Sequence, residues 1–489
     1  MDLEKKLTRL QRTLQYARTH SQFYAALPET QPQTLADYAA FPMLTADDLL
    51  LHGAELLCCP PSRVRRIVSL ETSGTSGARK RIFFTERDLE ATVDFFHHGM
   101  DAVCAGTNRV GILMPGTNPD GLCDLLSRGI RRFGGVPLYY GPIRDADDCA
   151  RWCLENRVET LVGIPSQVRR LALLHPELPV QNALLSSDYV SPALVETISR
   201  RWNARALNHY GMTESGYGLA VQTEPGGPMC LRPDALLETL PDGELVLTTL
   251  DREAMPMLRY RTRDLGRLDP DGTLAAVYGR KKDRNAVYSL AALDDLLYGD
   301  DAVLDYRAAL SGSTLTVEIL GVVTFSREAL AQLGCTVRFV EDMPFCSGKR
   351  TLIPTNELCA LTETEDAIME ERICGLIVAA GLSSRMGCFK PLLPLRGKTV
   401  IENTIDSMLL CGISPVVVVL GYRGREVEAV LHSRYLAGTV IPVYNRDFAS
   451  TDMLASIQLG AAALPPCSAF FLMPGDMPVV TKETFLTVC

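Results

Sequence analysis

The sequence predicts a multidomain α/β protein. Its 489 residues are enough for about three domains of ordinary size. Short apolar runs alternate with helical patterns between Val64 and Val287, which is typical of an α/β sheet protein. A second alternation of the same kind begins after residue 372. We therefore expect two separate α/β regions along the chain.

The predicted elements can be justified in chain order. Leu3, Leu7, Leu10 and Leu14 recur at helical spacing, so the chain is expected to begin with a helix. Strand-like runs follow in the order RVGILMP, GGVPLYY, ETLVGIP, NALLSS, GELVLTTL and TLAAVYG. STLTVEILG and CTVRFVE then indicate a small α+β module at about 285–354. The polar segment TNELCALTETEDAIMEE predicts a linker or an exposed helix, and GLIVAAG, SPVVVVLG, TVIPVYN and SAFFLMPGD begin the second α/β region.

Composition and charge narrow the class of partners. Hydrophobic residues make up 47% of the chain and the formal net charge is −9, which argues against a nucleic-acid-binding surface. The N-terminus carries charges where a signal peptide is apolar, and no apolar stretch reaches the roughly 18 residues of a membrane span. The fifteen cysteines form no C-x-x-C pair, which favours reduced, buried thiols. We expect a cytoplasmic protein that contacts neither nucleic acid nor membrane.

The stretch ETSGTSGARKR, which begins at Glu71, predicts a phosphate-binding loop. Its backbone N–H groups and hydroxyls can surround phosphate oxygens, and Lys80 adds a cation at the far end. The spacing is not that of a Walker loop. Taken alone, the stretch is equally compatible with an ordinary surface loop. The loop residues in question are Thr72, Ser73, Gly74, Thr75, Ser76 and Gly77.

Four further segments follow in an order that resembles the adenylate-forming superfamily of acyl-CoA synthetases. NHYGMTES (208–215) resembles its adenine and magnesium segment, and YRTRDLGRL (260–268) its ribose segment. YGRKKDR (278–284) is similar to the hinge, and DMPFCSGKR (342–350) to the segment with the catalytic lysine. YARTHSQFYAAL and FPMLTADDL resemble the phenylacetate–CoA ligase branch. The resemblance implies a large adenylation domain over 1–279, a small lid over 280–354 that rotates about the hinge, and a linker over 355–371.

The resemblance also assigns roles. It implies ATP, Mg²⁺ and a small-molecule carboxylic acid as ligands, with coenzyme A as the thiol that accepts the acyl group. Taken alone, Glu214 and Asp264 are also compatible with ordinary surface carboxylates, and Lys349 is compatible with a solvated lysine. The implied roles are nucleotide contact for Tyr210, Gly211, Thr213 and Arg280, ribose binding for Asp264, Mg²⁺ binding for Glu214, catalysis for Lys349 and Glu214, and the hinge pivot for Lys282.

Three positions depart from the family pattern. Arg79 stands where the family has proline, and Arg263 stands where it has glycine. If position 263 requires a positive φ, the arginine there is strained by about 1 kcal/mol. The stretch SSD at 186–188 replaces a turn that contains glycine in many relatives. These departures leave open a retuned ligase or a nucleotide-binding regulator without activity.

A second nucleotide site is predicted where the strand GLIVAAG ends. Open α/β sheets bind ligands at the carboxyl ends of their strands, although a plain βα turn explains Ala-Ala-Gly alone. The longer string AAGLSSRMGCFKPLLP resembles nucleotidyltransferases of the molybdenum-cofactor type, especially the cytidylyltransferase-like subgroup. The resemblance implies NTP contacts from Ala379, Ala380, Gly381, Ser383, Ser384, Gly387 and Asn445, catalytic cations at Arg385 and Lys390, and a metal ligand at Asp476. Asn445 is also compatible with an exposed turn.

The second resemblance predicts a Rossmann-like α/β domain over 372–489 that is truncated. Asp452 stands where the family has glycine, and the sequence ends soon after the strand that precedes Asp476. The implied reaction transfers NMP from CTP or GTP to a phosphorylated acceptor such as molybdopterin. The whole chain is then a bifunctional enzyme, with maturation of a molybdenum enzyme as a shared purpose. The alternative is one active half joined to a nucleotide-binding regulatory or docking module. His97-His98 is expected to be a helix-face pair rather than a metal site.

Overall fold

A computed structural model describes most of the chain. The described residues are 3–71, 79–116, 118–283, 289–311, 314–324, 335–346, 350, 373–381, 389–395, 397–411, 413–435, 438–467 and 469–478. Contacts divide the chain into two compact units: Leu89–Leu250 with Met257–Ile368, and Asp2–Asp88 with Asp251–Pro256 and Met369–Cys489. Because these units group contacts rather than sequence domains, the boundaries at 279, 354 and 371 stay predictions.

The N-terminal segment begins with helices and continues into a hairpin. The helices are α1 (Leu3–His20), α2 (Leu35–Tyr38) and α3 (Ala46–Leu51), and the strands are β1 (Val64–Glu71) and β2 (Arg79–Thr85), which pair antiparallel. Leu10 and Leu14 of α1 are fully buried, which confirms the predicted apolar face. Capping boxes at Thr34 and Thr45 start α2 and α3, because each threonine oxygen accepts an otherwise unpaired N–H.

The first unit is built on an eleven-stranded sheet. Its elements are α4 (Glu86–Cys104), β3 (Arg109–Leu113), α5 (Leu122–Arg132), β4 (Val136–Tyr139), α6 (Ala146–Glu155), β5 (Thr160–Gly163), α7 (Pro165–Leu174), β6 (Asn182–Leu185), α8 (Pro192–Trp202), β7 (Arg205–Tyr210), β8 (Ala220–Gln222), β9 (Met229–Leu231), β10 (Ala235–Thr239), β11 (Glu244–Thr249), β12 (Tyr260–Leu268) and β13 (Leu274–Arg280). The strand order is β4-β3-β5-β6-β7-β8-β9-β13-β12-β11-β10. The first five strands are parallel, and the remaining neighbours pair antiparallel. β5 and β6 are buried along their whole length, as parallel strands covered on both faces must be.

A small α+β module follows the large sheet within the same unit. It comprises α9 (Leu290–Leu297), β14 (Val303–Ser311), β15 (Thr314–Gly321) and β16 (Thr336–Val340). β15 pairs antiparallel with β14 and parallel with β16. One apolar core contains Leu293 and Leu297 of α9 together with Leu194 and Ile198 of α8. The module therefore shares its core with helices of the large sheet.

The second unit contains a four-stranded parallel sheet. Its elements are β17 (Ile373–Ala379), β18 (Pro394–Leu395), β19 (Lys398–Thr399), α10 (Val400–Leu410), β20 (Val416–Leu420), α11 (Gly424–Arg434), β21 (Val440–Tyr444), α12 (Met453–Ala462) and β22 (Ala469–Pro474). The sheet order is β21-β20-β17-β22, with every neighbouring pair parallel. The chain moves outward through β20 and β21 and returns to the other side of β17 at β22. The carboxyl ends of β17 and β22 therefore form a topological switch point, where sheets of this kind bind ligands.

Several smaller predictions can be checked on the described residues. His97 and His98 lie on α4, and no group of three or more His, Cys, Asp or Glu side chains in the described part could hold a metal. All twelve described cysteines are free and eight are buried. Arg128 and Arg132 of α5 form ion pairs with Glu90 on α4. None of the described helices is long and apolar enough to span a membrane.

Candidate nucleotide sites

Four of the predicted nucleotide residues line one pocket of the first unit. Tyr210 ends β7, Gly211 follows it, Asp264 lies within β12, and Arg280 ends β13; all four line the pocket. The antiparallel register sets Asp264 opposite Arg280. The Tyr210 hydroxyl donates a hydrogen bond of 2.8 Å to Oδ2 of Asp264. We call this cavity the sheet pocket.

A second carboxylate lies close to this pair. Glu214, in the 3₁₀ helix Thr213–Ser215, is buried and accepts a 2.8 Å hydrogen bond from the Tyr260 hydroxyl at the start of β12. Burial, Asp264 and Glu214 all raise the pKa of Tyr210 well above its usual value. Burial and Glu214 likewise raise the pKa of Tyr260. Both phenols therefore stay neutral donors that hold the two carboxylates in place.

Gly211 allows the chain to pass close to a neighbouring segment. A Cβ atom at this position would overlap the carbonyl oxygen of Tyr217. Only glycine therefore fits between Tyr210 and the helix that carries Glu214.

The segment that presents Asp264 is held by a residue that the sequence analysis did not single out. Glu244 of β11 is fully buried and accepts hydrogen bonds from the Arg261 side chain (2.6 Å) and the Arg263 N–H (3.2 Å). Burial alone would raise the pKa of Glu244, but hydrogen bonds from Arg261 and Lys281 lower it. Its partners Arg261 and Arg263 lie 17 and 19 positions away in sequence, so only the bulged pairing of β11 with β12 reveals this role.

Two departures from the family pattern prove to be strained positions. Arg263 has a φ of 62° and Ser187, in the SSD stretch, has a φ of 78°. Left-handed backbone of this kind costs a side-chain-bearing residue about 1–2 kcal/mol. The expectation of strain at 263 is thus confirmed. Asp452, by contrast, has a φ of −87° and caps α12 by accepting a hydrogen bond from the Ala455 N–H, so the loss of glycine there is without backbone cost.

His209 is a further pocket residue that sequence reasoning missed. Its Nδ1 lies 2.8 Å from the Ser186 hydroxyl, whereas its buried Nε2 has no hydrogen-bond partner. Burial lowers the pKa of His209 to about 4. A neutral imidazole therefore lies beside Tyr210, within the segment NHYGMTES, where the resemblance assigned it no role.

The wall of the sheet pocket is joined to the small module through Arg350. Asp188 lines the pocket, and its Oδ2 accepts a 2.9 Å hydrogen bond from Nε of Arg350. The same guanidinium donates to both carboxylate oxygens of Asp294 on α9, at 2.7 and 2.8 Å. Asp188 belongs to the SSD stretch that departs from the family pattern, whereas no sequence pattern pointed to Asp294.

The remaining predicted ligase residues divide into two groups. Thr213 begins the helix of Glu214, Lys282 is exposed in the 3₁₀ helix Lys281–Asp283, and Lys80 lies on β2 opposite Leu70. The loop residues 72–77 and the proposed catalytic Lys349 lie outside the described residues. The same is true of four residues predicted for the second nucleotide site, Ser383, Ser384, Arg385 and Gly387. Their assigned roles, like that of the Lys282 hinge, stay predictions.

The second site forms at the switch point of the four-stranded sheet. Ala379 ends β17 and is followed by Ala380 and Gly381, while Gly475 and Asp476 follow β22. The two ends are joined by a 2.9 Å hydrogen bond from the Gly475 N–H to the Val378 carbonyl. Lys390 Nζ lies 2.7 Å from Oδ2 of Asp476, with both side chains partly exposed. We call this pair the Lys390–Asp476 site.

Asn445 follows β21 and is buried rather than exposed. Its Nδ2 donates to the hydroxyls of Thr451 and Ser456, both at 2.9 Å, and its Oδ1 accepts from the Asp447 N–H at 3.0 Å. The alternative of an exposed turn residue is therefore wrong. The side chain organises the loop that leads into α12, and its contact with nucleotide stays a prediction.

The donor sets are compatible with Mg²⁺ at both sites. Mg²⁺ usually takes one or two carboxylates and completes its shell with phosphate oxygens and water. Glu214 and Asp476 each supply one carboxylate. Glu214 would hold the ion near Tyr210 and Tyr260, and Asp476 would do so beside Lys390. When bound, the ion would neutralise charge on phosphates.

The fold combines two different architectures in one chain. The larger part has the adenylate-forming CoA ligase fold, and it is followed by a nucleotidyltransferase-like domain. Both resemblances found in the sequence are thus confirmed, as is the predicted fold class.

The comparisons behind this statement concern particular relatives. Residues 375–489 match the family model of the MobA-like NTP transferase domain. The chain is 39% identical over 114 residues to the molybdenum cofactor cytidylyltransferase of Escherichia coli K12, covering 22% of this chain and 54% of that protein. It is 26% identical over 294 residues to the phenylacetate-coenzyme A ligase of Thermus thermophilus, covering 53% of this chain and 63% of that ligase.

Among solved structures, 2-hydroxyisobutyryl-CoA ligase in complex with 2-HIB-AMP is similar with a TM-score of 0.61 and 19% identity, over 73% of this chain and 90% of that one. This likeness shows the fold. The chain spans about half the length of the cytidylyltransferase and less than two thirds of the Thermus ligase.

Proposed function

We propose that residues 1–354 activate a carboxylic acid with ATP and pass the acyl group to coenzyme A. The observation that carries the proposal is the tyrosine-held carboxylate of Asp264, which lines the sheet pocket together with Tyr210, and the nearby buried carboxylate of Glu214, which Tyr260 holds in the same way. An ionised carboxylate that is already oriented by a neutral donor can accept hydrogen bonds from ribose hydroxyls. The phenylacetate-coenzyme A ligases among the relatives favour an aryl or short aliphatic acid.

The proposed chemistry follows from charge. An oxygen of the substrate carboxylate attacks the α-phosphorus of ATP, the bond to the β-phosphate oxygen breaks, and pyrophosphate leaves. Both reactants are anionic, so preorganised cations stabilise the transition state. Arg280 at the pocket supplies one charge, and Lys80 and Lys349 are proposed to supply others. The thiolate of coenzyme A then displaces AMP from the acyl carbon.

The test is acid-dependent exchange between ATP and labelled pyrophosphate, with a panel of aryl and aliphatic acids. We expect exchange with at least one acid, and its loss in Lys80→Ala and Asp264→Ala. Asp101→Ala, an exposed aspartate on α4, is the matched control and should exchange normally. Formation of the thioester is measured as the disappearance of the free thiol of coenzyme A. A chain that exchanges with no acid is not a ligase, and nucleotide binding without exchange would favour the regulator.

A second activity is favoured by the Lys390–Asp476 site. A lysine and an aspartate at the switch point suit transfer of NMP from CTP or GTP, in which a phosphate of the acceptor attacks the α-phosphorus and pyrophosphate leaves. Molybdopterin is the proposed acceptor because a molybdenum cofactor cytidylyltransferase is among the relatives. Binding of fluorescent CTP and GTP analogues with Mg²⁺ tests the site. Lys390→Met should weaken binding, and Lys398→Met, a lysine on β19, serves as the control.

A further inference from the structure

We infer that Arg350 is a positioning residue that fixes the small module against the wall of the sheet pocket. Its catalytic consequence rests on the adenylation proposed above for residues 1–354. The Arg350 guanidinium is almost fully buried between Asp188 and Asp294. Asp188 belongs to the pocket wall after β6, and Asp294 belongs to α9 of the module. One side chain thus joins the pocket to the module.

The hydrogen-bond geometry makes Arg350 difficult to replace. Its Nε donates to Asp188, both terminal nitrogens donate to Asp294, and one of them also donates to the Tyr298 hydroxyl at 2.9 Å. Burial alone would lower the pKa of Arg350, but Asp294, Tyr298 and Asp188 raise it well above the usual value, so it stays charged. Arginine can satisfy two carboxylates in fixed directions, whereas lysine offers a single point charge.

Helix α7 of the large sheet holds the other side of the same module. Arg169 is fully buried and donates to the carbonyls of Val303 (2.8 Å) and Asp300 (2.9 Å). Arg170 donates to the Met343 carbonyl at 2.6 Å, and Gln167 donates to the Cys346 carbonyl at 2.6 Å. A rotation of the module about residue 282 would have to break these buried bonds together with those of Arg350.

We call Arg350 the anchor of the small module. Its position in the sequence connects it to the proposed chemistry. Arg350 directly follows Lys349, the proposed catalytic lysine. Arg350 also holds Asp188 in the wall of the sheet pocket, so its loss would displace groups beside the proposed nucleotide. Because a misplacement of about 1 Å can cost roughly 100-fold in rate, the anchor should affect the chemical step more than nucleotide binding.

The first experiment measures the anchor without any substrate. Paired spin labels on noncanonical amino acids at the exposed positions Glu155 and Thr336 report the distance between α6 and the module. We expect one narrow distance distribution in the native chain, a broad one in Arg350→Met, and no change in Arg338→Met, an exposed arginine on β16. A broad distribution in the native chain, or an unchanged one in Arg350→Met, overturns the inference. Asp188→Asn, which keeps the Asp294 pair, replaces Arg350→Met if that variant does not fold.

The second experiment uses pyrophosphate exchange with the most active acid of the panel. We expect kcat in Arg350→Met to fall about 100-fold with KM for ATP nearly unchanged, and Arg350→Lys to recover part of the loss. A rise in KM with unchanged kcat would contradict a positioning role. If the native chain exchanges with no acid, the proposed function fails, while the distance measurement still decides whether Arg350 anchors the module.

Discussion

In the first unit the carboxylates of Asp264, which lines the sheet pocket, and of the nearby Glu214 are held by tyrosine hydroxyls, whereas Asp476 in the second unit is paired with a lysine. The tyrosines are buried and neutral, and the Lys390–Asp476 pair is partly exposed. Neutral donors in a buried setting keep their geometry regardless of salt and leave the net negative charge available for a metal. An exposed ion pair contributes little and must open before either partner contacts phosphate. The carboxylates of the first unit are therefore fixed in advance, whereas we expect the Lys390–Asp476 pair to rearrange when a ligand binds.

The largest expected effect tests whether the two sites act independently. Glu214→Ala should reduce acid-dependent pyrophosphate exchange about 100- to 1000-fold, because removing one preorganised electrostatic group from an active site costs that much. Asp476→Ala should leave this exchange unchanged. Glu224→Ala, an exposed glutamate of the same unit, is the control. A loss of exchange in Asp476→Ala would show that the two sites are coupled.

The next effect concerns pH and the buried imidazole of the first unit. The folded pKa of His209, about 4, lies below its usual 6.5, so the unfolded chain binds more protons between these values. The contribution of His209 to the free energy of unfolding is therefore fully present above about pH 6.5 and is lost as the pH falls through 4. The total loss is about 3 kcal/mol.

Urea unfolding followed by tryptophan fluorescence measures this loss, because Trp152 and Trp202 both lie in the first unit. His209→Gln should show a shallower dependence on pH than the native chain, and His98→Gln, an exposed histidine, should not. Equal slopes in His209→Gln and the native chain would rule out a neutral buried His209.

A smaller effect is expected at the tyrosine–aspartate pair. Tyr210→Phe removes the hydrogen bond to Asp264 and should lower the free energy of unfolding by about 1 kcal/mol. The KM for ATP should rise several-fold, because the carboxylate loses its orientation. Tyr139→Phe, at an exposed tyrosine, should change neither quantity. An unchanged KM in Tyr210→Phe would separate Asp264 from nucleotide binding.

The smallest effect is expected at the exposed pair of the second unit. A double-mutant cycle of Lys390→Met and Asp476→Asn should give a coupling energy of about 0.2–1 kcal/mol that shrinks in high salt. Hydrogen exchange of the amides in β17 and β22 measures it locally. A coupling energy well above this range, or one independent of salt, would mean that this site is as preorganised as the sheet pocket.

Short motifs and periodicity identified much of this protein. The apolar runs became strands, the Leu10 and Leu14 face became the buried face of α1, and Tyr210, Gly211, Asp264 and Arg280 line one pocket. These features were predictable because strands, helices and short motifs are specified by neighbouring residues. The strain at Arg263 was also predictable, since a missing glycine is visible in the letters.

The remaining features depend on residues that are distant in sequence. Arg350 and Asp188 are 162 positions apart, and Tyr210 and Asp264 are 54 apart. Their meeting depends on strand order, on the bulge that Glu244 holds, and on which helices cover the module. Glu244 lies in no motif, and His209 lies in the segment NHYGMTES without an assigned role. The sequence by itself determined the two protein classes and most of their strands, whereas tertiary structure alone decided which charges are buried together, because burial and pairing are properties of the assembled sheet.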